Sequence, residues 1–204
     1  MACIRGWMLF ILLFMVAALH AQLHESAEAF PSSAFAKMNL KNAGTADTNG
    51  FDINKNGKFT IFVFLSPECP LSQQYTLPLN QIAKNYHENV SVIGIFPGKS
   101  YDQPTINSFL KKYKIGFASY IDESKALSNY LKATVTPEVI LVSHENDLVT
   151  VRYRGAIDDR VKALGVKRLK ASSYFLQDAI EQSLQHKDVV IKRTDPVGCL
   201  INDY

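Results

Sequence analysis

Cysteine is scarce in this chain, and its scarcity excludes whole classes of protein. The 204 residues include only three cysteines, which are Cys3, Cys69 and Cys199. Small extracellular scaffolds held together by several disulfides are excluded, because they need more cysteines than this. The sequence has no Cys-x-x-Cys pair, so both the two-thiol redox motif and the haem-attachment motif are missing.

Clustered charge and metal-ligand spacing are also missing. The formal net charge is only +3, and no basic stripe with interleaved aromatic residues is present, so a nucleic-acid-binding function is not predicted. The densest basic segment, 162–170, is predicted to be a solvated loop or a helix entry. The histidines are widely separated along the chain. We therefore predict no metal site and no cofactor, since a copper-chaperone site would need a second nearby thiol and a histidine.

Only one long hydrophobic run occurs, and it lies at the N-terminus. Residues 7–19 are apolar and follow Arg5, and the run is shorter than the ~20 residues that a helical membrane span needs. This pattern predicts a signal peptide over residues 1–21, with a signal anchor as the alternative. Cys3 precedes the apolar run and would leave with the peptide. The mature protein is then expected to be extracytoplasmic, periplasmic or secreted, with no membrane attachment after cleavage.

The remaining chain divides into three parts. Residues 22–58 are polar and poorly periodic, which predicts a lead-in segment or linker, with Phe35, Met38 and Leu40 as candidates for a short edge strand. Residues 59–186 alternate between strand and helix patterns. Residues 187–204 form a tail that carries Cys199.

The central part has the order βαβ, then an αβα insertion, then ββ and a final helix. Alternating strands and helices predict a parallel core, and the two strands before the last helix make the sheet mixed. The predicted strands cover 59–65, 90–96, 117–121, 139–142 and 149–153, and the predicted helices cover 71–86, 105–113, 124–131 and 172–184. The sequence therefore predicts one three-layer α/β domain.

Cys69 is the residue most clearly placed for chemistry. It follows a strand that is apolar on both faces and precedes Pro70, which suits the first position of a helix. The free N–H groups of a helix start favour a thiolate, whereas burial in apolar surroundings opposes one. Glu68 is expected to face solvent, because its charge would oppose the thiolate. The alternative is an inert core cysteine.

Three further features accompany this cysteine. Ser72 stands where a second cysteine of a Cys-x-x-Cys motif would be, and a hydroxyl at Ser72 or at Ser66 can donate a hydrogen bond to a thiolate. Thr136-Pro137 opens a strand, because a proline cannot donate to the ladder from within it. The tail after the last helix is long enough, at ~3.3 Å per residue, to bring Cys199 across the domain. Cys199 can then resolve an oxidised Cys69, form a permanent disulfide with it, or remain unpaired.

These motifs resemble the thioredoxin-like superfamily, and in particular its redoxin branch of alkyl hydroperoxide reductase and thiol-specific antioxidant-like domains. Ser-Pro-Glu-Cys-Pro-Leu-Ser at 66–72 matches the active-site turn, and Val-Thr-Pro-Glu-Val at 135–139 matches the segment around the family's cis-proline. The segments 153–160 and 194–201 are similar to stretches of secreted bacterial redoxin-domain proteins. The resemblance implies a thioredoxin-like α/β/α sandwich with the αβα insertion before the cis-proline strand. It also implies that the backbone of Thr136, beside Pro137, binds an extended peptide.

The resemblance implies a thiol oxidoreductase with antioxidant activity that uses Cys69 as nucleophile. Its substrates would be protein thiols and disulfides or small peroxides, and Cys199 is the candidate resolving thiol. A peroxidase also needs an arginine near the sulfur, for which Arg152, Arg154 and Arg160 are candidates. The competing hypothesis is a non-catalytic module that keeps the fold and binds a partner beside Pro137. The sequence specifies no oligomeric state.

Overall fold

The computed structural model describes residues 28–44, 51, 53 and 57–201. The predicted signal peptide, residues 1–21, lies outside the described residues. None of the helices within the described ranges is both long and apolar enough to cross a membrane.

A seven-stranded mixed sheet forms the centre of the molecule, with the strand order β1-β8-β7-β3-β4-β5-β2. These strands are β1 (Ala29–Pro31), β2 (Lys41–Asn42), β3 (Phe59–Phe64), β4 (Val90–Pro97), β5 (Ala118–Asp122), β7 (Glu138–Glu145) and β8 (Leu148–Gly155). The strands β3, β4 and β5 run parallel, and β7 and β8 are antiparallel to their neighbours. The predicted mixed sheet is confirmed.

Helices cover both faces of this sheet, because every residue of β3 is buried and its side chains alternate between two cores. The helices are α1 (Ser32–Phe35), α2 (Pro70–Asn85), α3 (Gln103–Lys112), α4 (Ala126–Tyr130) and α5 (Phe175–Leu184). Side chains of α2, α3 and α5 pack with Ile61 and Val63 on one face. Side chains of α1 and α4 pack with Phe62 and Phe64 on the other. The predicted three-layer sandwich, with α3, β5 and α4 as the insertion, is confirmed.

The predicted lead-in segment is more closely integrated than a linker. Its described part supplies both edge strands of the sheet, since β1 pairs with β8 and β2 pairs with β5. Phe35 and Leu40 are buried in the second core, with Met38 packed against it. Phe35 ends a short helix, so the suggested edge strand through these three residues is not formed. The strands β1 and β2 were not predicted, because segments of two or three residues are too short to show the alternation of a strand.

Two small two-stranded sheets flank the main one. The strands β9 (Val161–Ala163) and β10 (Val166–Lys167) form a hairpin where a loop or helix entry was predicted. The strand β6 (Val135–Thr136) pairs antiparallel with β11 (Cys199–Leu200). This second pair brings the C-terminal tail back to the segment before Pro137.

Candidate functional site: a thiol pair at a helix start

Cys69 caps the N-terminus of α2. It has extended backbone angles, and Pro70 follows at the first helical position. The strand β3 ends at Phe64 in the middle of the sheet, so the turn at 65–69 lies at the carboxyl edge of the parallel strands. Glu68 is exposed, as expected, and Cys69 itself is only 2% exposed. The helix start therefore fixes the sulfur at a buried position.

The pKa of Cys69 is lowered overall by its hydrogen-bond donors. Burial is the largest single influence and raises the pKa, because it disfavours the charged form. The thiol of Cys199 and the backbone N–H groups of Ser72, Cys199 and Leu71 lower it, and together they outweigh burial. Two of these N–H groups belong to the first turn of α2, where they have no partner within the helix. The helix start thus stabilises a thiolate.

Pro137 lies directly across from this sulfur. The Thr136–Pro137 peptide bond is cis, as the resemblance implies. The Cys69 thiol donates a hydrogen bond to the Thr136 carbonyl oxygen over 2.9 Å. The loop is held in place by Glu138, whose carboxylate accepts from the Thr134 backbone N–H over 2.8 Å. The segment before the proline and the helix start therefore face each other.

The backbone of Thr136 was predicted to bind an extended peptide, and the structure shows it already paired with the protein's own tail. Cys199 is the register partner of Thr136, and the Ile201 N–H donates to the Thr134 carbonyl over 3.0 Å. Val197 and Pro137 line a residual cavity of only about 10 Å³. The groove beside the proline is filled.

The tail approaches so closely that only glycine fits before Cys199. A Cβ atom added at Gly198 would collide with the backbone of Thr136. Further back, the tail is anchored to β8, where the Thr194 N–H donates to Arg154 and the Arg154 N–H donates to Lys192, each over 3.0 Å. The Thr194 hydroxyl also contacts the Tyr153 hydroxyl at 2.6 Å. The tail thus has one anchor at Thr194 and a second contact at β6.

This path brings the two thiols of the described chain together. The Cys199 Sγ lies 2.7 Å from the Cys69 Sγ and donates to it, and both cysteines are free. Burial, the hydrogen bond to Cys69 and the negative charge of that sulfur raise the pKa of Cys199 to about 11. Cys69 is therefore covered by the thiol of Cys199 and by β11, the strand that carries it. Because Cys199 is partly exposed, this cover is not a sealed layer of apolar side chains.

The two hydrogen bonds of the Cys69 sulfur belong to different protonation states. As a thiol, Cys69 donates to the Thr136 carbonyl. As a thiolate it can only accept, from Cys199 and from the amides of α2, and the carbonyl oxygen then opposes the charge. Several donors converge on one sulfur and a single carbonyl opposes them, which agrees with a pKa of Cys69 that lies below the ordinary value of a thiol.

The two serines do not hold the sulfur with their hydroxyl groups as predicted. The Ser72 hydroxyl is buried and accepts from the Ser66 backbone N–H over 3.2 Å. The Ser66 hydroxyl donates to the Tyr101 hydroxyl over 2.9 Å. Their hydroxyl groups hold the turn around Cys69 rather than the sulfur itself. It is the backbone N–H of Ser72 that faces the sulfur.

The three arginines that a peroxidase could use are engaged elsewhere. Arg152 donates to the Lys187 carbonyl, and Arg154 donates to the Leu131 carbonyl and to Glu28. Arg160 pairs with Asp158 over 2.7 Å and lies above the Tyr75 ring. Among the residues described, no group of three or more His, Cys, Asp and Glu side chains could hold a metal ion.

Sequence reasoning missed Tyr101, Thr194 and Gly198. Tyr101 and Thr194 are distant in the chain from the residues they support, so no local pattern marks them. Gly198 did carry a signal, because a glycine beside a cysteine in an extended segment often marks a close approach of two backbones.

Comparison with solved structures places this geometry in a known fold. The chain is similar to an uncharacterized conserved protein from Geobacillus kaustophilus, with a TM-score of 0.70 and 19% identity over 87% of this chain and 97% of that one. It is similar to a hypothetical protein from Sinorhizobium meliloti 1021, with a TM-score of 0.68 and 22% identity over 86% and 91%.

A third structure carries a functional name. The chain is similar to peroxiredoxin Q of Xanthomonas campestris, solved as a cysteine-to-serine mutant, with a TM-score of 0.54 and 15% identity over 78% of this chain and 97% of that one. No family model and no curated protein sequence matches the chain. At these identities the likeness concerns the fold, and together with the cis-proline opposite a helix-start cysteine it gives this chain a thioredoxin-like fold.

Proposed function

We propose that this protein is an extracytoplasmic thiol oxidoreductase that cycles between a Cys69/Cys199 dithiol and a Cys69–Cys199 disulfide. The observation that carries the proposal is the 2.7 Å distance between the two sulfurs, one on a helix start and one on the tail. The location outside the cytoplasm rests on the N-terminal run at 7–19, and an oxidising compartment would allow such a disulfide to form.

In the proposed reaction, the Cys69 thiolate attacks one sulfur of a substrate disulfide. A mixed disulfide forms on Cys69, and the other substrate sulfur leaves as a thiolate. Cys199 then loses its proton and attacks the Cys69 sulfur, which releases the second substrate thiolate and leaves the Cys69–Cys199 disulfide. The substrate disulfide gains two electrons, and the protein's two thiols lose them.

The raised pKa of Cys199 fits this order of events. Two of its causes are the hydrogen bond and the charge of the Cys69 sulfur, and both disappear once Cys69 has been converted into a mixed disulfide. The resolving thiol is therefore held protonated until Cys69 has reacted, and becomes more acidic when its attack is needed. Burial alone then keeps its pKa above that of an exposed thiol.

Reaction at Cys69 requires the tail to move, because this sulfur is 2% exposed. The connection 195–198 is short, and at ~3.3 Å per residue it lets Cys199 move up to about 16 Å from the anchor at Thr194. Breaking the β6–β11 contact costs only a few backbone hydrogen bonds, each worth about 1 kcal/mol net. We propose that the tail opens for the oxidant and returns to resolve it.

Peroxide reduction is the second candidate. It is supported by the similarity in fold to peroxiredoxin Q. Attack of the Cys69 thiolate on the peroxide would release an alcohol or water and leave a sulfenic acid on Cys69, and Cys199 would condense with it, releasing water. Disulfide exchange is favoured, because Arg152, Arg154 and Arg160 are engaged away from Cys69. The binding-module hypothesis is disfavoured, because the groove it would use is filled by the tail.

The decisive experiment compares the mature protein with Cys69→Ser and Cys199→Ser. We expect the reduced wild type to lose the mass of two hydrogen atoms after treatment with a model disulfide, with peptide mapping showing a Cys69–Cys199 link. Cys199→Ser should stop at a stable mixed disulfide on Cys69, and Cys69→Ser should show no turnover. Unchanged reduction of both disulfides and peroxide by Cys69→Ser would refute the proposal. Parallel peroxide consumption assays separate the two candidate substrates.

A further inference from the structure

The hairpin β9–β10 stands beside the thiol pair and is fixed at both ends. At its start, Arg160 is bound to Asp158, whose carboxylate also accepts from the Tyr75 hydroxyl of α2 over 2.5 Å. At its end, Arg168 contacts Asp159, and its backbone N–H donates to the Arg160 carbonyl over 2.7 Å. The hairpin is therefore held against α2 at its base, and its tip is free.

This tip exposes apolar side chains that nothing in the described chain covers. Leu164 is 69% exposed and Val166 is 54% exposed. They border a cavity of about 260 Å³, which we call the thiol cleft, between the hairpin and the first turn of α2. Its walls are Pro70 and Leu71 on one side, Val161, Leu164 and Val166 on the other, and Cys199.

The thiol cleft leads to Cys199 rather than to Cys69. Cys199 lines the cleft and is partly exposed, whereas Cys69 is 2% exposed and is not among the lining residues. A molecule that approaches the oxidised protein through this cleft meets the sulfur of the tail first. Thiol–disulfide exchange depends on which sulfur can be reached.

We propose that the thiol cleft is the docking site for the reducing partner, a protein dithiol with an apolar side chain next to its attacking cysteine, and that its attack falls on Cys199. This inference rests on the proposed function and specifies its second half-reaction. The thiol cleft is large enough for one large aliphatic side chain. Apolar residues line it on both sides, so that the bound side chain would contact carbon atoms on each wall.

The step balances as follows. The partner's thiolate attacks the Cys199 sulfur of the Cys69–Cys199 disulfide, forming a partner–Cys199 disulfide and releasing Cys69 as a thiolate. The partner's second thiolate then attacks its own first sulfur, which closes the partner's disulfide and releases Cys199, and Cys199 takes up a proton. The partner dithiol loses two electrons, and the protein's disulfide gains them.

The direction of this attack agrees with the different environments of the two sulfurs. The sulfur that leaves is Cys69, whose thiolate accepts from the backbone amides of α2, and these amides act to lower its pKa. A thiol of lower pKa is the better leaving group. Attack on Cys69 would instead expel Cys199, whose pKa is raised by burial, and would need access to a buried sulfur.

The charges on the hairpin indicate the charge of the partner's surface. Lys162, Lys167 and Lys170 are exposed, and within the described ranges none of them forms an ion pair. The segment 162–170 carries no acidic residue. A partner with acidic residues around its cysteine is therefore favoured, and its rate of attack should fall as salt increases.

The test uses the oxidised mature protein and two synthetic cysteine peptides. Both peptides have the same length and the same acidic residues, and they differ only in a leucine or a serine next to the cysteine. We expect the leucine peptide to react about tenfold faster, equivalent to ~1.4 kcal/mol. Mass mapping of the trapped adduct should place the peptide on Cys199.

Two surface variants distinguish binding in the thiol cleft from a general change in the reactivity of the disulfide. Leu164→Ser should remove most of the tenfold preference for the leucine peptide, and an unchanged urea midpoint shows that the variant is folded. Leu77→Ser is the matched control, since Leu77 is 65% exposed and lies outside the cleft. It should leave both rates unchanged.

Each other outcome overturns a definite claim. A mixed disulfide mapped to Cys69, or equal rates for the two peptides, would overturn the docking proposal while the cycle itself stands. If the protein forms no Cys69–Cys199 disulfide beforehand, the proposed function fails instead, and the two failures are thus distinguishable.

Discussion

Two segments lie outside the alternating core of this fold, and they are attached in opposite ways. The N-terminal segment, 28–44, buries Phe35 and Leu40 in the second core and adds both edge strands to the sheet. Residues 190–201 of the C-terminal tail include no fully buried side chain. They are held by backbone hydrogen bonds, by Thr194, and by Ile201, which is partly buried against the second core. The first cannot leave without exposing the core. The second carries a thiol, and in the proposed cycle it is the segment that is released.

The first prediction concerns the chemistry of the tail, where the largest effect is expected. Deletion of residues 195–204 should abolish the intramolecular disulfide and multiple turnover. It should lower the free energy of unfolding by only about 1–2 kcal/mol, the value of a few backbone hydrogen bonds. Intact mass after oxidation and urea denaturation measure the two effects. A loss of stability as large as that of a core substitution would show that the tail is as firmly attached as the N-terminal segment.

The second prediction concerns the N-terminal segment. Phe35→Ala removes a fully buried ring that stacks against Phe62 at 6.1 Å between centroids. Substitutions of this kind cost about 3–5 kcal/mol, so the urea midpoint should fall far more than in the tail deletion. The folded fraction should still form the Cys69–Cys199 disulfide. If it does not, the two segments are not independent.

The third prediction tests how closely the tail is seated. Gly198→Ala places a methyl group against the Thr136 backbone, so β11 should be displaced and Cys69 uncovered. We expect alkylation of Cys69 by iodoacetamide to become about tenfold faster, because the free energy that favours the closed position of the tail falls by ~1.4 kcal/mol. Gly116→Ala is the control, because a Cβ there meets only Asn80 Oδ1 at 3.8 Å. An unchanged alkylation rate in Gly198→Ala would mean that the tail does not protect Cys69.

The fourth prediction concerns pKa and is the smallest effect. Cys199→Ala removes a hydrogen-bond donor that lowers the pKa of Cys69, so this pKa should rise and the thiolate should appear at higher pH. Cys199→Ser keeps a donor and should keep most of the lowered pKa. The thiolate absorbance followed against pH, or the pH dependence of alkylation, measures the change. A pKa that falls in Cys199→Ala would show that Cys199 destabilises the thiolate.

The sequence predicted the central sheet and its helices because these elements are buried on regular faces. The strand β3 and the helix α2 lie within one or two residues of their predicted bounds. Cys69 at a helix start follows from the proline and the end of an apolar run, and these are local signals. The edge strands β1 and β2 and the hairpin β9–β10 were missed because each is two or three residues long.

The partners of the site were harder to predict than its centre. The reach of the tail made a meeting of Cys69 with Cys199 conceivable, but length alone does not specify a register. The pairing of β11 with β6 depends on Gly198 and on the anchor at Thr194, which are contacts between distant residues. The hydroxyl groups of Ser66 and Ser72 were assigned to the sulfur by proximity in sequence, and their bonds to Tyr101 and to the Ser66 amide arise only in three dimensions.

The anchor at Thr194 also sets how competitive Cys199 is against thiols in the surroundings. A thiol tethered by a short segment has an effective concentration of millimolar or more near its target, and docking of β11 on β6 raises this further. Under the proposed function, free thiols in the surroundings must exceed that concentration to intercept an oxidised Cys69. In the proposed cycle the protein would therefore carry its own resolving thiol, at an effective concentration set by the length of 195–198 rather than by the composition of the medium.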